Sequence, residues 1–467
     1  MKEITVKWQS NGDLPLYQQL YHHFKSEITS GRLSFGTRLP SKKQLETSLN
    51  VSQTTIETAY SQLHAEGYIE SVERRGFFVA ARDELTEPAR VEPITNHKRH
   101  KPNSVKWAFD FFPGQIDTTG FPFKQWRKLY RQAVDFDNRH LLALGCATGE
   151  PELREQIRKY LYESRGVVCH EDQIIIGAGI EQLLPQLVIL LGPKTVFGIE
   201  NPGYPLTRHV LDSYQRISIL IDVDDEGADV NNLESTNIST MYVTPSHQFP
   251  IGSIMSVNRR VRLLNWAARK ADRYIIEDDY DSEFRYFGRP VPSLYSMSEG
   301  QKVIYLSTFS KSLMPSLRIG YMVLPPQLLG RYQKEFSHYA SCVPRIDQNI
   351  LASFMESGGF ARHLNRMRNS YRRKVELILN KLNETERTFN SSGETAGLHM
   401  LLNFPQTVCE ESIIEAAARQ GIRICGLSRF YHEATTAQQP GIVLGFGNLG
   451  ENELSEGLQL LLSCWGA

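Results

Sequence analysis

The sequence predicts an α/β protein in two parts: a small winged helix-turn-helix, then a far larger domain on a mostly parallel sheet. Three observations predict it. Leu16, Leu20, Phe24 and Ile28 recur every fourth residue, and two more short helical patterns follow within the first eighty positions. From Trp107 onward, helical stretches alternate with short apolar runs, the pattern of a parallel sheet covered by helices. Between them lies a stretch with Pro88, Pro93 and Pro102, many charges and few apolar residues, which reads as an extended linker. The expected boundaries are 1–80 for the first part, 81–105 for the linker and 106–467 for the second, with a smaller subdomain over roughly 326–467.

Composition narrows the class. The chain has 467 residues, 41% of them hydrophobic and 22% charged, which is ordinary for a globular protein with several cores. No apolar run is long enough to span a membrane, and Met1 to Ser10 is mixed polar rather than signal-like. The six cysteines are scattered with no CxxC pair, which points to a reducing cytoplasm and to neither a disulfide framework nor a zinc site. Lys and Arg together number 52, as do Asp and Glu, so any nucleic-acid site must be local.

The first helix follows Pro15 and stops at Gly31. Ser41 with Gln44 three residues later is a capping-box pattern, opening a helix that runs to about Leu49. After the turn Asn50-Val51-Ser52, a third helix buries Ile56, Ala59, Tyr60 and Leu63 and ends at Gly67. Two short helices across such a turn form a helix-turn-helix, whose second helix enters the major groove. Here its first turn offers Gln53, Thr54 and Thr55, all able to hydrogen-bond bases or phosphates. Tyr68-Ile69-Glu70 and Phe77-Phe78-Val79 read as two strands around Arg74-Arg75-Gly76, a wing with two cations at its tip. Arg38, Lys42, Lys43, Arg74 and Arg75, with Ser41 and Ser52, bracket the recognition helix. A helical interaction module with a solvated charged face is the alternative, since acids and bases nearly balance here.

In the second part, several apolar runs end in chemistry. Ile174-Ile175-Ile176 leads to Gly177-Ala178-Gly179-Ile180-Glu181, where small residues opening a helix let backbone N–H groups cradle a phosphate. Val196 to Ile199 leads to Glu200-Asn201-Pro202-Gly203-Tyr204, and Met241-Tyr242-Val243 leads to Ser246-His247-Gln248-Phe249-Pro250. Tyr274-Ile275-Ile276 ends in Glu277-Asp278-Asp279-Tyr280-Asp281. Three acids together suit a hard cation or a solvated turn; with no His or Cys at ligand spacing, a transition metal is not expected. Val303 to Leu306 ends in Ser307-Thr308-Phe309-Ser310-Lys311, with Arg318 seven residues on. A lysine there is a point charge for phosphate, an amine for a Schiff base, or a plain surface residue. Taken together, the lysine, the cradle, the arginine, a strand-end carboxylate and an aromatic ring are what pyridoxal 5′-phosphate needs.

Two resemblances sharpen this. Residues 1–80 resemble the GntR-type winged helix through Pro15-Leu16-Tyr17, Leu39-Pro40-Ser41, Ala59-Tyr60, Glu66-Gly67-Tyr68-Ile69 and Gly76-x-Phe78-Val79, which implies binding to double-stranded operator DNA. That family usually carries arginine where this chain has Lys43 and Gln53. From Trp107 on, Ser310-Lys311 with Arg318-x-Gly320-Tyr321 resembles the Schiff-base signature of the fold-type I aminotransferases, with their large and small domains. The resemblance implies that Lys311 carries the cofactor, that Thr308, Ser310 and Arg318 hold its phosphate with Ile180 and Glu181, and that Asp278 pairs with the ring nitrogen, with Asp279 the rival for that role and the spacing to Tyr280 favouring Asp278. It implies further that Tyr280 meets the ring hydroxyl, that Tyr204 stacks on the ring, and that Arg429 grips an effector carboxylate; Arg208 is a second anion candidate. The whole chain thus resembles the MocR/GabR-type regulators. These are cytoplasmic homodimers expected to sense an amine or amino acid, or the cofactor itself. A working aminotransferase with an accessory DNA-binding domain is the alternative. Phe249 replaces the asparagine usual in enzymes of the fold, and Leu144 a tyrosine, and both departures favour a sensor.

Overall fold

The computed structural model describes residues 14–80, 106–288, 291–384, 389–433 and 439–465. The expected linker, 81–105, with its basic cluster His97 to Lys101, lies outside the described residues. The chain divides into two compact units, Met1–Ser104 and Val105–Ala467.

In the first unit, α1 (Leu16–Thr29), α2 (Lys42–Leu49) and α3 (Gln53–Ala65) precede an antiparallel hairpin of β1 (Ile69–Val72) and β2 (Gly76–Val79). The capping box is present: the Gln44 N–H donates to Ser41 Oγ at 3.2 Å, and the Ser41 N–H donates to Gln44 Oε1 at 3.0 Å. Such a cap contributes about 1 kcal/mol. Asn50, left-handed at φ 52, ends α2 and aims the chain at Ser52, which caps α3 by accepting from the Thr55 N–H at 3.3 Å. Leu20, Phe24, Leu45, Ile56, Tyr60 and Leu63 are fully buried between these elements.

The second unit opens with β3 (Phe109–Asp110), α4 (Phe123–Ala133) and α5 (Pro151–Arg165). Its main sheet comprises β4 (Ile174–Gly177), β5 (Phe197–Asn201), β6 (Ser218–Asp224), β7 (Gly227–Ala228), β8 (Thr240–Val243), β9 (Tyr274–Asp278), β10 (Val303–Thr308) and β11 (Gly320–Val323). The strands lie in the order β4-β11-β10-β9-β8-β5-β6-β7. The core run β10, β9, β8, β5, β6 is parallel, and β11 is antiparallel to both of its neighbours. Strand alternation explains the continuous apolar runs. Ile174, Ile176, Ile275 and Tyr305 face one core, while Ile175, Ile276, Ile304 and Leu306 face another. The second core is closed by α6 (Ile180–Leu191), α7 (Pro205–Ser213) and, later in the chain, the helix Pro326–Phe336.

After α8 (Val257–Ala268), α9 (Leu294–Met297) and the one-turn α10 (Phe309–Ser312), the chain continues through α11 (Pro326–Phe336), α12 (Arg345–Glu356) and the long α13 (Gly359–Asn383). A second, antiparallel sheet has the order β12-β13-β16-β15, from β12 (Asn390–Ser392), β13 (His399–Asn403), β15 (Cys425–Gly426) and β16 (Gly441–Gly445). The short β14 (Ile422–Arg423) pairs with β3, and α14 (Glu410–Arg419) and α15 (Glu451–Cys464) pack nearby. Among the described residues, no helix is long and apolar enough to cross a membrane.

Candidate cofactor cavity and DNA-facing helix

A cavity of about 720 Å³ opens at the carboxyl ends of the parallel strands, where sheets of this kind bind ligands. Among its lining residues are Asp278, Tyr280, Thr308, Ser310, Lys311 and Arg318, so the strand-end motifs converge on one place.

Asp278 closes β9 and is 2% exposed. Its Oδ2 accepts a short hydrogen bond from the Tyr242 hydroxyl, while its Oδ1 has no partner in the protein. Burial raises this carboxyl to about 7, although the Tyr242 hydrogen bond pulls the other way. Its neighbour Asp279 lies on the other side of the sheet. There Arg165 donates to it through Nε at 2.8 Å and Nη2 at 3.3 Å, joined by the hydroxyls of Ser282 and Tyr305. Burial opposes ionisation of Asp279, but the Arg165 guanidinium outweighs it and holds the carboxyl below its ordinary value.

β10 ends at Thr308, whose Oγ1 caps α10 by accepting from the Ser310 N–H at 3.1 Å and lies 2.8 Å from Ser310 Oγ. One turn later Lys311 enters the cavity, and its Nζ donates to the Gly114 carbonyl at 2.5 Å. Burial lowers this amine to about 8, against the charge of Asp281. The Gly114 segment is itself fastened to α13. The Asp117 N–H donates to Tyr371 Oη at 3.0 Å, Lys374 Nζ donates to Asp117 Oδ2 at 3.2 Å, and Arg366 Nη2 donates to the Gly120 carbonyl at 2.7 Å.

Arg318, left-handed at φ 52, turns its guanidinium toward the start of α6, donating to the Ala178 carbonyl at 3.2 Å and pairing with Glu181. Gly179 precedes that helix at φ +88; a Cβ there would lie 2.5 Å from Arg318 Nη2, so the approach requires glycine. The N–H groups of Ile180 and Glu181 begin α6 and have no acceptor within it. Tyr204 stands at the cavity wall, its ring edge-on to Phe249 at 5.9 Å. The Tyr280 hydroxyl donates to the His247 carbonyl at 2.9 Å. Arg429 lines the cavity with its guanidinium 5.4 Å from the Phe112 ring centre.

Arg208 is placed differently from expectation. It pairs with Asp212 at 3.1 Å and is not part of the lining, where Leu206 stands instead. Residues two apart on a helix face away from each other, so α7 can present only one of them.

One cluster escaped local sequence spacing. His247, Asp281 and His399 are all buried, with donor atoms within 4.8 Å of one another. His247 Nδ1 lies 2.9 Å from Asp281 Oδ2, while His247 Nε2, Asp281 Oδ1 and His399 Nε2 have no partner in the protein. Burial drives His399 well below its ordinary value, so its ring is neutral. The ligand pattern was invisible because 34 and 118 positions separate the other two members from Asp281.

In the first unit, Arg38, Lys43, Ser52, Gln53, Thr54, Arg74 and Arg75 are exposed, and Lys42 and Thr55 are half-buried. Arg74 takes φ 60 at the wing tip, and the Arg75 guanidinium sits 5.6 Å from the Phe78 ring centre. Two of the expected contacts are engaged within the unit: Lys42 Nζ at 2.9 Å and Gln53 Nε2 at 3.0 Å both donate to Glu57 Oε1. Ser41 and Ser52 serve as helix caps.

Comparison with known proteins follows the same division. Residues 16–79 match the family of bacterial regulatory proteins, gntR family, and residues 113–435 match aminotransferase class I and II. The uncharacterized HTH-type transcriptional regulator YdeL of Bacillus subtilis is 41% identical over 464 residues, covering 99% of each chain. The probable rhizopine catabolism regulatory protein MocR of Rhizobium meliloti is 32% identical over 97% of this chain and 94% of that protein. Among solved structures, the kynurenine aminotransferase of Pyrococcus horikoshii in complex with PMP aligns with a TM-score of 0.67 at 25% identity, over 76% of this chain and 90% of that one. With a gntR-family winged helix fused to a class I and II aminotransferase domain, and with relatives of the same build along its whole length, the chain belongs to the MocR-type family of HTH-type transcriptional regulators.

Proposed function

We propose that this regulator binds operator DNA through α3 and the wing, holds pyridoxal 5′-phosphate in the large cavity, and changes its DNA affinity when an amine or amino acid enters. One observation carries the cofactor half. An unpartnered buried carboxylate oxygen, Asp278 Oδ1, and an amine lowered to about 8, Lys311 Nζ, line the same cavity. A buried polar atom without a partner is costly, and a protonated ring nitrogen is a fitting donor for it. Lys311 would meet the aldehyde, and Thr308, Ser310, Arg318 and the N–H groups of Ile180 and Glu181 the phosphate. Tyr204 would cover the ring face and Tyr280 would meet the ring hydroxyl. Once bound, the cofactor supplies an aldehyde for amines and a ring that withdraws electron density. Asp278 keeps the ring nitrogen protonated, and Arg429 orients an incoming carboxylate.

A homodimer in the cytoplasm, as the family resemblance implies, completes the reading. Gel retardation on the DNA upstream of the protein's own reading frame tests it. Retardation that depends on the cofactor and shifts with one amine or amino acid is expected. Absence of retardation under every condition refutes it. Steady production of an oxo acid that is lost in Lys311→Ala would instead make the chain an aminotransferase.

A further inference from the structure

Part of the cavity lining is hydrocarbon: Phe112, Leu206, Phe249, Leu398 and Phe430 are among its residues. Phe430 belongs to a small hydrophobic cluster against which Phe112 and Phe249 pack. Phe249 and Phe430 meet edge to face at 4.9 Å, and Tyr204 adjoins Phe249.

Charge at this wall is equally simple. Arg429 has no acidic partner among the described residues, and only the Phe112 ring attends it. The other basic side chains named in the lining, Lys311 and Arg318, belong to the cofactor set, and Arg318 is already shared with Glu181. Arg208, which could have met a second anion, is held by Asp212 outside the lining.

Granted the cofactor on Lys311, we infer that the effector is an amino acid with a single carboxylate and an apolar side chain of leucine to phenylalanine size. Its carboxylate meets Arg429 in a bidentate pair. Its side chain packs on Phe112, Phe249 and Phe430, where aromatic edges suit a ring. A second anionic group on the side chain would be carried onto hydrocarbon with no counter-ion, which is strongly disfavoured.

The full-length protein, loaded with pyridoxal 5′-phosphate, is titrated with phenylalanine, leucine, phenethylamine, glutamate and taurine. The visible absorbance band and the thermal unfolding midpoint are both followed. Phenylalanine or leucine should change the band saturably and raise the midpoint, with the other three weaker by about 10-fold or more. Arg429→Ala should remove the distinction between phenylalanine and phenethylamine, and Phe249→Asn should weaken phenylalanine by about 10-fold. Glutamate or taurine binding tightest overturns the inference, as does phenethylamine binding as tightly as phenylalanine. If borohydride fixes the cofactor on Lys311 but none of the five compounds acts, this inference falls and the cofactor assignment stands. If no cofactor is taken up, both fall.

Discussion

Asp278 and Asp279 are adjacent in sequence and opposite in use. Asp279 points to the side of the sheet where Arg165, Ser282 and Tyr305 saturate it. Asp278 points to the cavity side, bonded once by Tyr242 and open at Oδ1. One carboxylate is a finished structural ion pair. The other is kept incomplete and displaced toward neutrality. Burial is the same for both, so the difference is made wholly by partners. A site announces itself by the hydrogen bond that the protein leaves unmade.

The largest effect that would test this contrast is at Lys311. Lys311→Ala should abolish covalent retention of the cofactor altogether, read as loss of the borohydride-fixed adduct on the intact protein.

Next comes the carboxylate pair itself. Asp279→Asn leaves Arg165 buried with its counter-ion gone and should cost about 3–5 kcal/mol in denaturant unfolding. Asp278→Asn should cost the cofactor-free chain far less, while weakening the cofactor severely. The pH dependence sharpens the difference. The folded Asp278 carboxyl stands at about 7, against about 4 for an unfolded aspartate. Its stabilising share is therefore fully present below about pH 4 and lost as pH rises through about 7. Cofactor-free wild type should lose more stability than Asp278→Asn between pH 4 and 8, by an amount on the order of a few kcal/mol. Equal slopes for the two proteins would remove the distinction drawn here.

The first unit offers smaller effects, because its polar groups face water. Arg74→Ala and Arg75→Ala should each weaken DNA binding across sequences and lower the salt slope by about 1. Glu57→Gln releases Lys42 and Gln53 from their shared carboxylate. Since solvent screens the Lys42–Glu57 pair, denaturant unfolding should be nearly unchanged while DNA affinity rises in gel retardation.

How legible these features were in the sequence depends on how local their causes are. The Ser41–Gln44 box, the buried face of α3 and the polar ends of β9 and β10 are set by residues within a few positions of each other, and each appears where the pattern places it. The Gln53–Glu57 contact spans one helical turn, so the signal was present. The partners of Asp279 were not readable, since Arg165 lies 114 positions away and reaches it only through the packing of α5 on the sheet. Arg208 resembled a ligand by its charge, yet the helical phase of α7 turns Leu206 inward instead. His247, Asp281 and His399 meet because β13 of the second sheet is carried to the turn after β8, a matter of topology that spacing cannot express.

The hydrogen bond from Lys311 to Gly114 has a mechanical consequence. A nitrogen engaged within the cavity cannot also hold that carbonyl. An amine engaged elsewhere would leave the Gly114 carbonyl without this donor, while the 114–120 segment keeps its hydrogen bonds to Tyr371, Lys374 and Arg366 of α13. A single nitrogen is thereby joined, through seven residues of backbone, to a 25-residue helix.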